Sequence, residues 1–523
     1  MMSITGARTM GALILAGVLA AAVPGQAGSP SLADRVIEHK LANGMTVLMV
    51  ERHQAPIVSV NMTFGVGGVN EQVGQTGLAH LYEHMAFKGT RTVGTRDYER
   101  EQAVLDDLAM VGTELDRRER EEAARAQMEG KTPVPSEAVQ QLQRRFKELQ
   151  EKAGEYVVGN EMALLYQRHG GVGLNASTGK DITRYVISLP ANRLPLWAAL
   201  ESDRMAHPVL REFYKERGVV MEERRLRTDD SPHGLPYETF TSTAFQAHQY
   251  GVPTIGWGSD ILSLTPAATE AFFKTYYGPN NATVAIVGDI NPKEVIALIE
   301  QTFGKIPAAP PIPSLVTEEP PQRGERRVEI EFDAEPALAI GYHKPTIGHP
   351  DDFVFDVIDE VLTEGVTSRL YSTLVRDKRL AASVLSDTNY PGVRAPNLFV
   401  IAATPLAPHS VTEVETAIYE ELDRLKTEPI SAKEFERVLN GLDADLVRSL
   451  RSNSGLASQL AFYQTVAGTW RYVLNARDRI AAVTPADVQR VAAQYLTKPN
   501  RTVGVLVKKA QDKKMAAAGE VAR

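Results

Sequence analysis

The chain has 523 residues, 43 % of them hydrophobic, which is too long for one ordinary domain and enough to bury more than one core. Its formal charge of −8, with no long basic run, excludes an electrostatic footprint for nucleic acid. With no cysteine, disulfides, thiolate metal ligands and a cysteine nucleophile are excluded too.

Residues 1–27 read as a secretory signal. Arg8 is the only charge, Met10 to Val23 is apolar but short for a bilayer span, and Gly25-Gln-Ala27 puts small residues at −3 and −1 of a cleavage site. No later segment reads as transmembrane. The expectation is a periplasmic or secreted protein with no stable membrane span after signal removal.

Two strands follow. Met45–Val50 and Ile57–Phe64 are apolar or alternating, and Arg52-His-Gln-Ala-Pro56 separates them. Gly77 to Lys88 then predicts a helix, since Leu78, Leu81, Met85 and Phe87 recur at helical spacing with no Pro and no internal Gly. On it His80 and His84 stand at i and i+4, on one face, and can share one metal ion. Glu83 flanks that face, close enough to hold a water at the metal. Zinc suits this donor set, because it takes imidazole and carboxylate and keeps one position open in catalytic sites. It lowers the pKa of water there, and Glu83 can take the proton as general base.

Tyr98 to Tyr156 is dense in Glu, Arg and Gln. Leu108, Val111 and Leu115, and later Val139, Leu142, Phe146, Leu149 and Tyr156, keep a heptad-like spacing. Gly130-Lys-Thr-Pro-Val-Pro135 breaks the two runs, and Ser136 can cap the second. This predicts an antiparallel helical hairpin inserted over about 98–157, looping out of the fold. Its excision from about Glu101 to Val157 is expected to leave a folded, zinc-binding protein.

Val172 to Thr178, after Gly170-Gly171, is short and extended. Between Glu212 and Arg227 the helical run offers Glu212, Glu216, Glu222 and Glu223. Two His rarely hold zinc tightly, so a carboxylate from this second helix is the natural third ligand. Glu216 and Glu223 lie two turns apart on one face, and Glu222 is rotated about 100° from it. Glu222 with Arg224, Arg225 and Arg227 reads as a solvated, salt-bridged face.

Pro307 to Arg326 is rich in Pro and charge and reads as a linker, taken as 307–326. The chain also repeats itself. Thr265-Pro266, Tyr276, Asn281 and Thr283-Val284 return as Thr484-Pro485, Tyr495, Asn500 and Thr502-Val503, each 219 residues on. Gly89 pairs with Gly365 near the start of each copy. Two homologous halves are therefore expected, 28–306 and 327–510, with a tail at 511–523. In the second copy His80, Glu83 and His84 fall on Asp356, Asp359 and Glu360, so only the first half can hold this metal, one zinc per chain.

The pattern HxxEH inverts HExxH, the arrangement of the inverzincins. With it come Leu174-Asn-Ala-Ser-Thr178, Asp181, Thr183-Arg-Tyr185, Glu201-Ser-Asp-Arg-Met205, Glu216-Arg-Gly-Val-Val-Met-Glu-Glu223 and His248-Gln-Tyr-Gly251, in that order. The sequence resembles the pitrilysin/insulinase family of zinc metallopeptidases, which includes the mitochondrial processing peptidases. The resemblance implies an α+β fold: two halves, each a mostly antiparallel sheet packed with helices, facing each other as a clamshell. It implies Glu223 as third ligand and Glu216 as its supporting carboxylate. Asn175 and Ala176 would pair with an extended peptide substrate, and Arg376 would contact it. Where the family often carries a Tyr in the second half, this chain has Ala382 or Ser383. The implied function is a zinc endopeptidase acting on extended peptides or small unfolded proteins, as a homodimer or paired with a related two-half chain. The rival expectation is a peptide-binding or scaffold subunit with little activity alone.

Overall fold

The computed structural model describes residues 32–509; the expected signal at 1–27 and the tail at 511–523 lie outside them. The first half carries six strands: β1 (Ile37–Lys40), β2 (Thr46–Glu51), β3 (Ile57–Phe64), β4 (Val172–Thr178), β5 (Thr183–Pro190) and β6 (Ala282–Gly288). They lie in the order β1-β2-β6-β3-β5-β4, antiparallel except for the β2–β6 pair. β3 and β6 are buried along nearly their whole length, whereas β5 alternates buried and open positions. A strand covered on both faces needs an unbroken apolar run, which Ile57–Phe64 and Ala282–Gly288 supply. β4 closes the sheet and leaves one of its own edges unpaired.

The helix with the two His is α1 (Leu78–Met85). Leu78, Leu81, Tyr82 and Met85 turn into the core under the sheet, which fixes the opposite side of the helix toward the site. Gly77 precedes it at φ 90°, and a Cβ there would come within 2.6 Å of the Ile255 carbonyl oxygen, so only glycine fits. Glycine has no side chain to cap with, and the buried Glu71 does so instead, its carboxylate accepting from the N–H of Gly77 (2.8 Å) and of Ala79 (2.7 Å). The helix stops three residues short of the expected Lys88. Phe87 and Lys88 bond back to the carbonyls of His84 and Met85, a tighter turn that leads into Gly89 at φ 96°.

The charged segment forms α2 (Tyr98–Met128) and α3 (Glu137–Gly154), capped by Asp97 and Ser136. At 31 residues, α2 is about 46 Å long. Val104, Leu108, Leu149 and Ala153 make the seam between them. The expectation that this hairpin loops free of the fold is corrected at its root. There it is bolted to α4 (Phe213–Arg224) and to the turn before it. The buried Glu101 takes Arg211 Nε at 2.7 and 2.9 Å. Asp116 takes Arg217 through two bonds of 2.6 and 3.0 Å, and Gly112 leaves room for the Tyr214 ring, which a Cβ would meet at 2.3 Å. Cutting the whole hairpin out would strand the Arg211 guanidinium, 1 % exposed, without its counter-ion.

Later in the first half come α5 (Gly234–Ala244), α6 (Pro266–Tyr276) and β6. The second half carries β7 (Arg326–Phe332), β8 (Ala337–Lys344), α7 (Pro350–Leu362), β9 (Ala381–Tyr390), β10 (Asn397–Pro405), α8 (Ala432–Arg451), α9 (Asn453–Val466), α10 (Pro485–Tyr495) and β11 (Arg501–Lys508). Its sheet runs β7-β11-β8-β10-β9, with only the β7–β11 pair parallel. The 219-residue offset carries further than the sequence motifs did: it takes Phe213, Gly234, Pro266 and Ala282 to Ala432, Asn453, Pro485 and Arg501, the first residues of α8, α9, α10 and β11.

The halves exchange a helix. Leu456, Ala457, Leu460 and Ala461 of α9 cover Leu48, Val50, Ala285 and Val287 on the face of the first sheet away from α1. In return Phe240 and Ala244 of α5 pack with Leu398 and Val400 of the second sheet, and the Phe240 ring lies over Gly341 and Gly504. Glu319 in the linker accepts from the backbone N–H of Gln246, Ala247 and His248 at 2.8 to 3.0 Å, fixing the segment just after α5.

Candidate metal centre

α1 and α4 pack against each other and set three side chains face to face. The His80 and His84 rings lie one helical turn apart, with centroids 4.8 Å from each other. Glu223 on α4 points between them: its Oε2 is 3.4 Å from His84 Nε2 and 3.7 Å from His80 Nε2. Among the described residues this is the set that can hold a metal, its three donor atoms lying within 4.8 Å of one another. Zinc bonds of 2.0–2.2 Å in a tetrahedron put ligand atoms about 3.4 Å apart, so the residues fit the ion without rearrangement of α1 or α4.

The surroundings prepare the ligands. His84 Nδ1 contacts Glu216 Oε2 at 3.3 Å, leaving Nε2 for the metal side. Glu216 is itself held by Lys88 at 2.6 Å. His80 Nδ1 is buried without a partner, so Nε2 is the atom that ring offers. In the metal-free chain the two His titrate apart: burial, then the neighbouring His84, push His80 down to about 4, whereas hydrogen bonds to Glu216 and Glu223 push His84 up to about 9. One proton therefore sits where a cation of higher charge fits. The hydrogen bond from His84 holds the Glu223 carboxyl below its ordinary range despite some burial.

Glu83 stands on the same helix, clear of the three donors. Burial pushes its pKa up, and a 2.7 Å hydrogen bond from the Thr178 hydroxyl works against that rise. Glu222 is exposed and pairs with Arg225 at 2.7 Å, on the side of α4 turned from the metal set, as the helical phase requires. Arg227 reaches Glu223 Oε1 at 2.7 Å. Arg224 departs from the expected solvated face: it is buried and held by Glu238 through bonds of 2.8 and 2.9 Å, which ties α4 to α5.

Asn175 and Ala176 lie on β4, whose inner neighbour is β5 and whose outer edge is free. Gly173, at φ 67°, sits where the β4–β5 register slips between Val172 and Asn175. Thr178, the last residue of β4, is the one that touches Glu83. Arg376 is placed elsewhere. It is exposed in the second half, bonded to Asp377 at 2.7 and 3.1 Å and to the Val366 carbonyl, with no bond to the metal set. Ala382 and Ser383 are the second and third residues of β9, the edge strand of the second sheet.

In the second half Asp356, Asp359 and Glu360 occupy the matching turns of α7, and burial is the main cause that pushes them up to about 8, 6 and 7. The positions matching Glu216 and Glu223 at the 219-residue offset are Phe435 and Leu442. With a carboxylate trio and two apolar residues there is no donor set for zinc.

Sequence reasoning gave no role to Glu71 or to the Thr178 hydroxyl. Neither carries a spacing signal, since each acts on α1 from a separate segment brought close only by the fold.

Known proteins resemble this chain along most of its length. The family described as Insulinase (Peptidase family M16) matches residues 46–106, and the one described as Peptidase M16 inactive domain matches 263–442. The zinc protease PqqE of Helicobacter pylori is 29 % identical over 462 residues, covering 87 % of this chain and 89 % of that protein. The crystal structure of a protease from Helicobacter pylori superposes with a TM-score of 0.74 at 28 % identity, over 91 % of this chain and 99 % of the other. The first half of the periplasmic protease PqqL from Escherichia coli shares the fold, with a TM-score of 0.64 at 18 % identity and 93 % of each chain covered. On these matches, and on a first half that carries the metal set while the second lacks it, the chain belongs to the insulinase/pitrilysin-like M16 family of zinc proteases.

Proposed function

We propose that this chain is a zinc-dependent endopeptidase acting on extended peptides or small unfolded proteins. The observation that carries the reading is the convergence of His80, His84 and Glu223 beside Glu83. The first three would hold one zinc ion per chain. Bound there, the ion supplies Lewis acidity toward the scissile carbonyl and acidifies water at its open position.

The chain's own residues do the rest. Glu83 takes a proton from the attacking water and returns it to the leaving amine; burial that raises its proton affinity suits both steps. Glu216 orients His84. The free edge of β4 at Asn175 and Ala176 accepts a peptide as an added strand, through main-chain bonds that are indifferent to most side chains. Arg376 serves as a substrate contact only after releasing Asp377.

A periplasmic or secreted location belongs to this reading. Among the described residues no helix is long and apolar enough to cross a membrane. So does assembly as a homodimer or with a related two-half chain. The exposed Ala382 and Ser383, with no hydroxyl of the expected Tyr, favour the second reading: a peptide-binding subunit that needs a partner for full turnover.

The test is zinc content and cleavage of an unstructured peptide by the lone purified chain, beside Glu83→Gln. Bound zinc with cleavage that falls by about 10²–10⁴ in the variant supports the endopeptidase. Bound zinc, peptide binding and no cleavage until a related chain is added supports the subunit.

A further inference from the structure

The strand offered to a peptide and the proposed base are joined at one residue, Thr178, through its hydroxyl and its backbone N–H. Thr178 ends β4, and its Oγ1 donates to Glu83 Oε2 at 2.7 Å. Among the described residues no other side chain is hydrogen-bonded to Glu83. A glutamate has three rotatable bonds, and a carboxylate that must meet a proton at a fixed point needs one oxygen tied down.

Thr178 can do this because its own position is over-determined. It is paired with Thr183 across the β4–β5 ladder, with the two hydroxyl oxygens 3.4 Å apart. The buried Thr183 donates to the Val66 carbonyl at 3.0 Å and lies 3.2 Å from the Tyr277 hydroxyl, which reaches back to the Ala79 carbonyl of α1 at 3.5 Å. The turn beyond Thr178 is fixed from both halves. The Asp181 carboxylate accepts from the Tyr250 hydroxyl at 2.8 Å and from the backbone N–H of Val393 (2.6 Å) and Arg394 (3.2 Å). Gly392 is pressed so close that a Cβ would meet Asp181 Oδ2 at 2.7 Å.

We propose that Thr178 is a positioning residue for the reaction: its hydroxyl holds Glu83 Oε2, leaves Oε1 for the proton, and couples the substrate strand to the base. The inference rests on the endopeptidase reading above. It makes the end of β4 more than a rail for the peptide, since anything that shifts the strand also shifts the base.

The test compares Thr178→Val, which keeps shape and removes the hydroxyl, with Thr178→Ser, which keeps the hydroxyl. In the valine variant kcat is expected to fall about tenfold or more with KM within about twofold, and the serine variant to recover to within about threefold of the parent. Zinc content and melting temperature are expected to match the parent in both. Crystals of metal-free Thr178→Val are expected to show the Glu83 carboxylate displaced and His80, His84 and Glu223 in place. An unchanged kcat, an unmoved Glu83, loss of zinc in the valine variant or failure of serine to rescue would each overturn the proposal. If the parent cleaves no peptide, the endopeptidase reading fails by itself, and the position of Glu83 in the crystals still decides whether Thr178 holds it.

Discussion

Glu223 and Glu222 are neighbours in sequence with opposite surroundings. Glu223 faces two imidazoles, and Glu222 faces water and Arg225. Glu223→Gln is therefore expected to lower zinc affinity by more than about 100-fold, and Glu216→Gln by about 10–100-fold, as is usual for a partner of a ligand. Glu222→Gln is expected to leave it within about twofold of the parent. A zinc titration against a competing chelator checks the order, and a larger loss in Glu222→Gln than in Glu223→Gln would refute the assignment. Asp356 allows a prediction far from the metal. Burial, then the charge of Asp352, raise its pKa to about 8, against the pull of Lys344 and with a further push from Asp359. The folded chain thus holds this proton more tightly than the unfolded one. Its contribution to stability is full below about pH 4 and is lost as pH rises toward 8. Asp356→Asn is expected to gain melting temperature relative to the parent between about pH 5.5 and 8.5, and thermal scans at both values would show whether the gap widens.

At the scale of elements, the hairpin α2–α3 has a root and a tip with different jobs. The root packs on α4, which carries Glu216 and Glu223, through Glu101–Arg211, Asp116–Arg217 and the Gly112–Tyr214 contact. The tip is solvated, and its ion pairs, such as Arg117–Glu121, are exposed and contribute little. Removing Glu121 to Glu137 with a short Gly/Ser link is expected to keep fold and zinc. Removing Glu101 to Val157 is expected to cost about 3–5 kcal/mol from the unpaired Arg211 alone, before the loss of packing on α4. Circular dichroism melts and zinc content of the two deletions check this; equal stability would show that the root does not support α4.

At the scale of the molecule, the exchanged helices make each half an incomplete domain. Without α9, the first sheet would expose Leu48, Val50, Ala285 and Val287 as one apolar face. Residues 28–306 produced alone are expected to be insoluble or self-associated, and co-production with 327–510 is expected to restore a soluble, zinc-binding pair. Size exclusion with metal analysis reads the outcome. A soluble, monomeric first half would mean that α9 is dispensable to it.

How much of this was legible in the sequence follows from the range of the interactions. His80, Glu83 and His84 share one helix, so a spacing of three and four residues was enough to place them together. The same local rule separated Glu216 and Glu223 from Glu222, and repetition at a fixed offset revealed two halves. Local pattern overran the end of α1 at Lys88, because the turn into Gly89 is set by backbone bonds that apolar spacing does not report. It also placed Arg224 in solvent, since its partner Glu238 arrives from the next helix. The bond from Thr178 to Glu83 joins residues 95 apart, the cap from Glu71 comes from a loop, and the cover of the first sheet comes from the second half. A sequence carries the periodicity of each segment; which segments meet is decided by burying their apolar faces together, and those polar contacts exist only once that burial is complete.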